Sequence, residues 1–419
     1  MLLGDTMGGA ISDIFARAIL DSRGNPTVEV DCFVDGELRG RATVPSGAST
    51  GSYEAVELRD GGSKWMGKGV QKALDNVNGE IREALIGMDP TDQASIDSVL
   101  IELDGTRNKE RLGANATLGV SLSCLRAASD EDLWVRISPG DNPSLPVPML
   151  NILNGGAHAS SNVDIQEFMV VPHGFDDFSE ALRAGVEIYH SLKTILKDEG
   201  LLGGIGDEGG FAPNLPNNET GLMYVGDAIV KAGYSPGEQV SIALDVAAQE
   251  FLKGGNYHLG GQELSGSELG SMYAKWIDEY PIVSIEDPFG EDDWESWVSF
   301  TRNEGDRIQI VGDDLYVTNS ERLGRGIEER ASNAILIKLN QIGTVTETLE
   351  VIRIAKEAGF STIISHRSGE TSDDIIADLA VGTNSGQIKT GAPSRSDRTS
   401  KYNQLLRISE SAIPYSYLF

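Results

Sequence analysis

Six short apolar runs, each ending in a polar or charged residue and followed by a helix-length stretch, impose the strongest constraint on how this chain folds. They are SIALD ending at Asp245, IVSIED through Glu286, IQIVGDD through Asp313, AILIKLN through Lys338, TIISHRS through His366 and GQIKTG through Lys389. The successive polar residues lie 41, 27, 25, 28 and 23 positions apart. A strand, a loop, a helix and a return loop fill about that length, so the cadence is that of successive βα units. A closed β/α (TIM-like) barrel is the economical architecture, and side chains at the carboxyl ends of barrel strands converge on one face. A single polar residue there commonly caps a strand or faces water, but six in succession read as a site.

The region upstream is patterned differently. From Ile14 to Val44 the apolar positions alternate, with Val28, Val30 and Cys32 set against Glu29 and Asp31, as half-buried strands require, and Asp35-Gly36 supplies a hairpin turn. Helices are expected over Lys68 to Ile86, Asp92 to Leu103 and Ala114 to Ala128. The proline-rich SPGDNPSLPVP, Ser138 to Pro148, reads as a linker. The chain is therefore α/β overall: a smaller N-terminal α+β domain at 1–139 caps a C-terminal barrel at 140–419.

Charge excludes some functions. With 64 acidic and 34 basic residues the formal charge is -30, which repels nucleic acid and anionic membranes. Two cysteines, Cys32 and Cys124, make no disulfide framework, and no apolar run is long enough to span a bilayer. The expectation is a soluble protein of a reducing cytoplasm, with no nucleic-acid partner and no membrane span.

Asp245, Glu286 and Asp313 put carboxylates at consecutive strand ends, and hard oxygen ligands in that number suit an octahedral Mg²⁺ with room for water or substrate. Lys338 lies in an otherwise apolar strand that aims its ammonium at the barrel mouth. Burial and a second cation, Lys389, are expected to lower its pKa and favour the neutral base. His366, Arg367 and Ser368 offer an imidazole, a guanidinium fork and a hydroxyl for an anion such as phosphate. Upstream, GGAHASSNVDIQEF contributes His158, Gln166 and Glu167, and GDEGGFAPN places Glu208 in a glycine-rich loop. VPSGASTGSYEA is either a surface loop or one that closes over a ligand and brings Ser49 to a metal or phosphate. It lacks the lysine and spacing of a nucleotide-binding P-loop. His173, His190 and His258 read as structural.

Taken together, ILDSRGNPTVEV, SGASTG, NGGAH, QEFM, GDEGG, SIEDPF, GDDLYVTN, IKLNQIGT, SHRSGET, IKTGAPSRSDR and YNQLLRI resemble the enolase family in order and spacing, along nearly the whole chain. The resemblance implies a barrel of the enolase type and a lyase that dehydrates 2-phosphoglycerate to phosphoenolpyruvate with two Mg²⁺ per site, in a homodimer or larger homo-oligomer. It implies that Asp245, Glu286 and Asp313 hold one Mg²⁺ and that a second arrives with substrate and recruits Ser49. Lys338 would be the C2 base, and Glu208, helped by Glu167, would assist loss of the 3-hydroxyl. Arg367, Ser368 and His158 would bind phosphate and Lys389 the carboxylate, with Gln166 and His366 supporting them. An acid-sugar dehydratase of related fold and a non-catalytic binding protein are the competing readings. The phosphate set and the SGASTG loop argue against the first, the full complement of site residues against the second.

Overall fold

The computed structural model describes residues 9–47, 51–138 and 142–416. The proposed domain boundary at 139/140 and Ser49 both lie outside the described residues.

The N-terminal region opens with an antiparallel sheet of β1 (Ile11–Leu20), β2 (Pro26–Val34) and β3 (Glu37–Thr43). Asp35 and Gly36 have φ of 51° and 84°, so two left-handed residues turn β2 into β3, the conformation whose twist matches paired strands. Val28, Val30 and Cys32 are fully buried, as their alternation required. Behind this sheet lie α1 (Gln93–Asp104) and α2 (Ala114–Ala127), close to the expected bounds. Gly40 lets β3 and α2 approach: a Cβ there would stand 2.0 Å from the Ser123 carbonyl oxygen and 2.6 Å from the Ala127 nitrogen. The helix expected over Lys68 to Ile86 is broken instead. Its helical turns run from Gln71 to Leu85 and are interrupted by a wide turn at Gly79 (φ −104°, ψ −107°), a position with no side chain to resist the distortion.

The barrel comprises β4 (Val147–Asn154), β5 (Glu167–Pro172), β6 (Val240–Asp245), β7 (Ile282–Glu286), β8 (Gln309–Gly312), β9 (Ala334–Ile337), β10 (Ser361–Ser365) and β11 (Gly386–Lys389). They pair in sequence order, and β11 pairs with β4 to close the ring. The last six strands are those marked by the apolar runs. The first two escaped the pattern: every residue of β4 and β5 is buried, so neither alternates, and β4 begins inside the stretch read as linker. β5 also runs antiparallel to both neighbours. The connection 155–166 holds only the short helical turn Gly156–His158 and no crossover helix, so the chain returns as a hairpin.

Helices α3 (Phe178–Asp198) and α4 (Glu219–Lys231) intervene before β6. The outer ring continues with α5 (Gly266–Glu279), α6 (Trp294–Glu304), α7 (Ser320–Glu329), α8 (Val345–Glu357), α9 (Ile375–Gly382) and α10 (Ser396–Ser409). None of the described helices is long and apolar enough to cross a membrane.

The N-terminal region is tied to the barrel by hydrogen bonds between buried and half-buried groups. Ser46 and Gly369 exchange backbone bonds of 2.7 and 2.9 Å. Asp97 of α1 accepts from the Thr346 backbone N–H at 2.8 Å, in the first turn of α8. Ser46, just past β3, is thereby held beside the residue that follows the His366–Ser368 turn at the barrel mouth.

Candidate active site

The topology gathers the expected residues at one mouth. Asp245, Glu286 and Lys389 are the last residues of β6, β7 and β11, and Asp313, Lys338 and His366 each follow the end of a strand. Because β5 runs backwards, its first residue, Glu167, reaches the same mouth, in register with Asp245. The loops supply His158, Gln166 and Glu208. One cavity is lined by all of these except Glu286, together with Arg367, Ser368, Asp287 and Asp314.

Lys389 is the hub of the acidic side. Its fully buried ammonium donates to Asp245 at 2.9 Å and Glu286 at 2.8 Å and lies 3.2 Å from Glu167. Burial disfavours its charge, but these carboxylates more than offset that and hold it well above the ordinary lysine range. Burial pushes the Glu286 carboxyl well up, with Asp245 adding repulsion. Lys338 is paired with Asp313, which also accepts from Gln341 Nε2 at 2.9 Å. Here the sequence expectation needs correction. Burial does act to lower the Lys338 pKa, yet Asp313, with Glu286 behind it, turns the net shift upward, so the lysine is an ammonium in this state.

The other side of the cavity is a carboxylate pair. His158 Nδ1 stands 3.6 Å from Glu167 and 3.5 Å from Glu208, and its Nε2 meets the Ser368 hydroxyl at 3.0 Å. Glu208 also accepts from Asn151 Nδ2 at 3.0 Å and faces His366 Nε2 at 3.3 Å. Burial favours the neutral acid in both carboxyls, and in Glu167 it prevails, aided by repulsion from Glu208. In Glu208 burial is overcome by His158 and His366, and the carboxyl is held well below its usual range. The two carboxyls thus form an interacting pair pushed in opposite directions, Glu167 up and Glu208 down.

Arg367 is fully buried in effect and is already engaged by an anion, Glu54, and by Asn340 Oδ1 at 2.8 Å. Neither Glu54, Asn340, Gln341, Asn151 nor Arg398 was singled out from the sequence. Glu54 lay inside the quoted VPSGASTGSYEA segment, and Arg398 closes IKTGAPSRSDR, so both motifs held more site residues than were read from them. Of the remaining histidines, His173 meets the Ser241 hydroxyl at 2.9 Å, as a structural residue would.

The donor set fits a hard divalent cation. Glu286 Oε1, Glu167 Oε2 and Gln166 Oε1 are buried with no hydrogen-bond partner among the described residues, which is costly unless a cation or water meets them. Among the described residues, two trios offer ligand atoms all within 4.8 Å of one another: His158, Glu167 and Glu208, and Asp287, Asp313 and Asp314. Asp245 and Glu286, expected to join Asp313 in one ligand set, are instead bridged by Lys389 and fall in neither trio.

The arrangement has clear relatives. Two family models match the chain: "Enolase, C-terminal TIM barrel domain" over residues 142–415, and "Enolase, N-terminal domain" over residues 11–134. A protein named enolase from Natranaerobius thermophilus is 57% identical over 405 residues, covering 96% of this chain and 95% of that one.

Proposed function

Since the chain belongs to the enolase family, we propose that it catalyses the reversible dehydration of 2-phosphoglycerate to phosphoenolpyruvate, as a lyase of glycolysis and gluconeogenesis. The observation that carries this reading is the placement of opposed proton-transfer groups. Glu167 begins β5 and Lys338 follows β9, four strands apart in a ring of eight, so a lysine and the paired carboxyls of Glu167 and Glu208 face each other across the mouth.

Asp245, Glu286 and Asp313 would hold Mg²⁺, with Ser49 recruited to a second ion. Bound there, the cations supply positive charge beside the substrate carboxylate, where charge accumulates once the C2 proton leaves. Lys338 takes that proton as the free amine, and Asp313 stabilises the resulting ammonium. Lys389 neutralises the substrate carboxylate, with Gln166 beside it. On the opposite side Glu208, helped by Glu167, assists departure of the 3-hydroxyl, because hydroxide leaves poorly without an acid. Arg367, Ser368 and His158 bind the phosphate, and His366 orients Glu208. The same reading carries the two-domain division at 139/140, a cytoplasmic location and a homodimer or larger homo-oligomer.

Purified protein is expected to form phosphoenolpyruvate from 2-phosphoglycerate with Mg²⁺ and to stop when the metal is chelated. Absence of product with Mg²⁺ present overturns the reading, and turnover of a non-phosphorylated 2-hydroxy acid would redirect it to an acid-sugar dehydratase.

A further inference from the structure

Arg398, in the first turn of α10, has no exposed surface and touches none of the cavity directly, yet nearly all of its donors are committed to the segments that carry the site. Its Nη1 lies 2.5 Å from His366 Nδ1 and donates to the Arg367 carbonyl at 2.6 Å. Its Nη2 donates to the Ser368 carbonyl at 2.6 Å and to that of Asp207 at 3.2 Å. Nε stands 2.8 Å from the Asp397 carboxylate. One planar fork thus joins the turn after β10 to the loop that carries Glu208. Its approach depends on Gly391, where a Cβ would lie 2.9 Å from Arg398 Cδ and 3.1 Å from His366 Cε1.

We propose that Arg398 is a positioning residue for the dehydration, fixing His366 as the Nε2–H tautomer that faces Glu208 and tying the His366–Ser368 turn to the Glu208 loop. The inference rests on the enolase reading above and adds a residue to it. A guanidinium has only donors, so the His366 nitrogen it meets must present a lone pair. The proton of the neutral ring then sits on Nε2, 3.3 Å from Glu208 Oε2. The opposite tautomer would set an N–H against the Arg398 donors and a lone pair against a carboxylate. Histidine orientation of this kind is commonly set by the partner of the far nitrogen. Because His366 bears on Glu208 and not on Lys338, Arg398 should matter to loss of the 3-hydroxyl more than to removal of the C2 proton.

Two measurements on the full-length protein with Mg²⁺ test this. Nitrogen-15 NMR of the wild type, with His366 assigned through H366Q, should show His366 protonated at Nε2 alone, and an Nδ1–H signal overturns the proposal whether or not any Arg398 variant folds. In Arg398→Met, dehydration should fall by about 10–100-fold while exchange of the C2 deuterium of labelled 2-phosphoglycerate falls by less than about threefold, with Arg398→Lys intermediate. A merely structural role would depress both rates by the same factor, and that result also overturns it. Failure of the enolase reading itself would appear separately, as a wild type that forms no phosphoenolpyruvate.

Discussion

The Arg367 guanidinium is clasped by the Glu54 carboxylate, with Nη1 2.9 Å from Oε2 and Nη2 3.2 Å from Oε1, across 313 positions of sequence. Both side chains are nearly buried, so an internal anion sits on the cation proposed to receive the substrate phosphate. Glu54 also touches Gln341, which bonds Asp313, so the phosphate side and the base side share one polar chain.

Glu54→Gln should therefore act in two directions. The variant leaves Arg367 without its buried counter-charge, and free protein should lose about 3 kcal/mol of stability. Inorganic phosphate, no longer competing with Glu54, should bind about tenfold more tightly, a gain of about 1.4 kcal/mol. Denaturant titration and calorimetry read the two effects. Weaker phosphate binding would mean that Glu54 orients Arg367 and does not compete for it.

Asp313→Asn keeps the shape of the side chain and removes a charged oxygen. Mg²⁺ affinity and turnover should fall together, each by at least about tenfold. A metal titration indistinguishable from wild type would remove Asp313 from the ligand set.

Lys338 and Glu208 serve different steps, and an isotope separates them. With C2-deuterated 2-phosphoglycerate, Glu208→Gln should still wash label into water while forming phosphoenolpyruvate about 10²–10⁴-fold more slowly. Lys338→Ala should lose both. Exchange at the wild-type rate in Lys338→Ala would exclude Lys338 as the base and turn attention to Lys389.

Asp378 on α9 offers a test away from the chemistry. Burial first, and Asp374 second, push its carboxyl up from 3.8 to about 6. The folded state thus holds this proton more tightly than the unfolded state does. Its contribution to stability is present below about pH 4 and is lost as pH rises through about 6, leaving a buried charge at higher pH. Asp378→Asn should therefore stabilise the protein by about 1–3 kcal/mol near pH 8 and by little near pH 4, measured by denaturant unfolding. Equal effects at both ends would show that the carboxyl does not titrate differently on folding.

The sequence by itself determined the barrel and most of its mouth. An apolar run ending in Asp, Glu, Lys or His is a local pattern, and in a parallel barrel a local pattern at a strand end is also a position in space. Asp245, Glu286, Asp313, Lys338, His366 and Lys389 were legible for that reason. The direction of β5 was not, since a fully buried strand shows no alternation, and with it went the geometric basis for Glu167 reaching the mouth. The charge state of Lys338 was decided by the tertiary structure: burial and Lys389 alone argued for a neutral amine, but the Asp313 carboxylate sits against it. Glu54 on Arg367 and Arg398 behind His366 likewise depend on which donors and acceptors folding brings within hydrogen-bond reach. Strand periodicity propagates along the chain and can be read from it, whereas pairing among buried polar groups is settled only when distant segments share a low-dielectric space and must satisfy one another there.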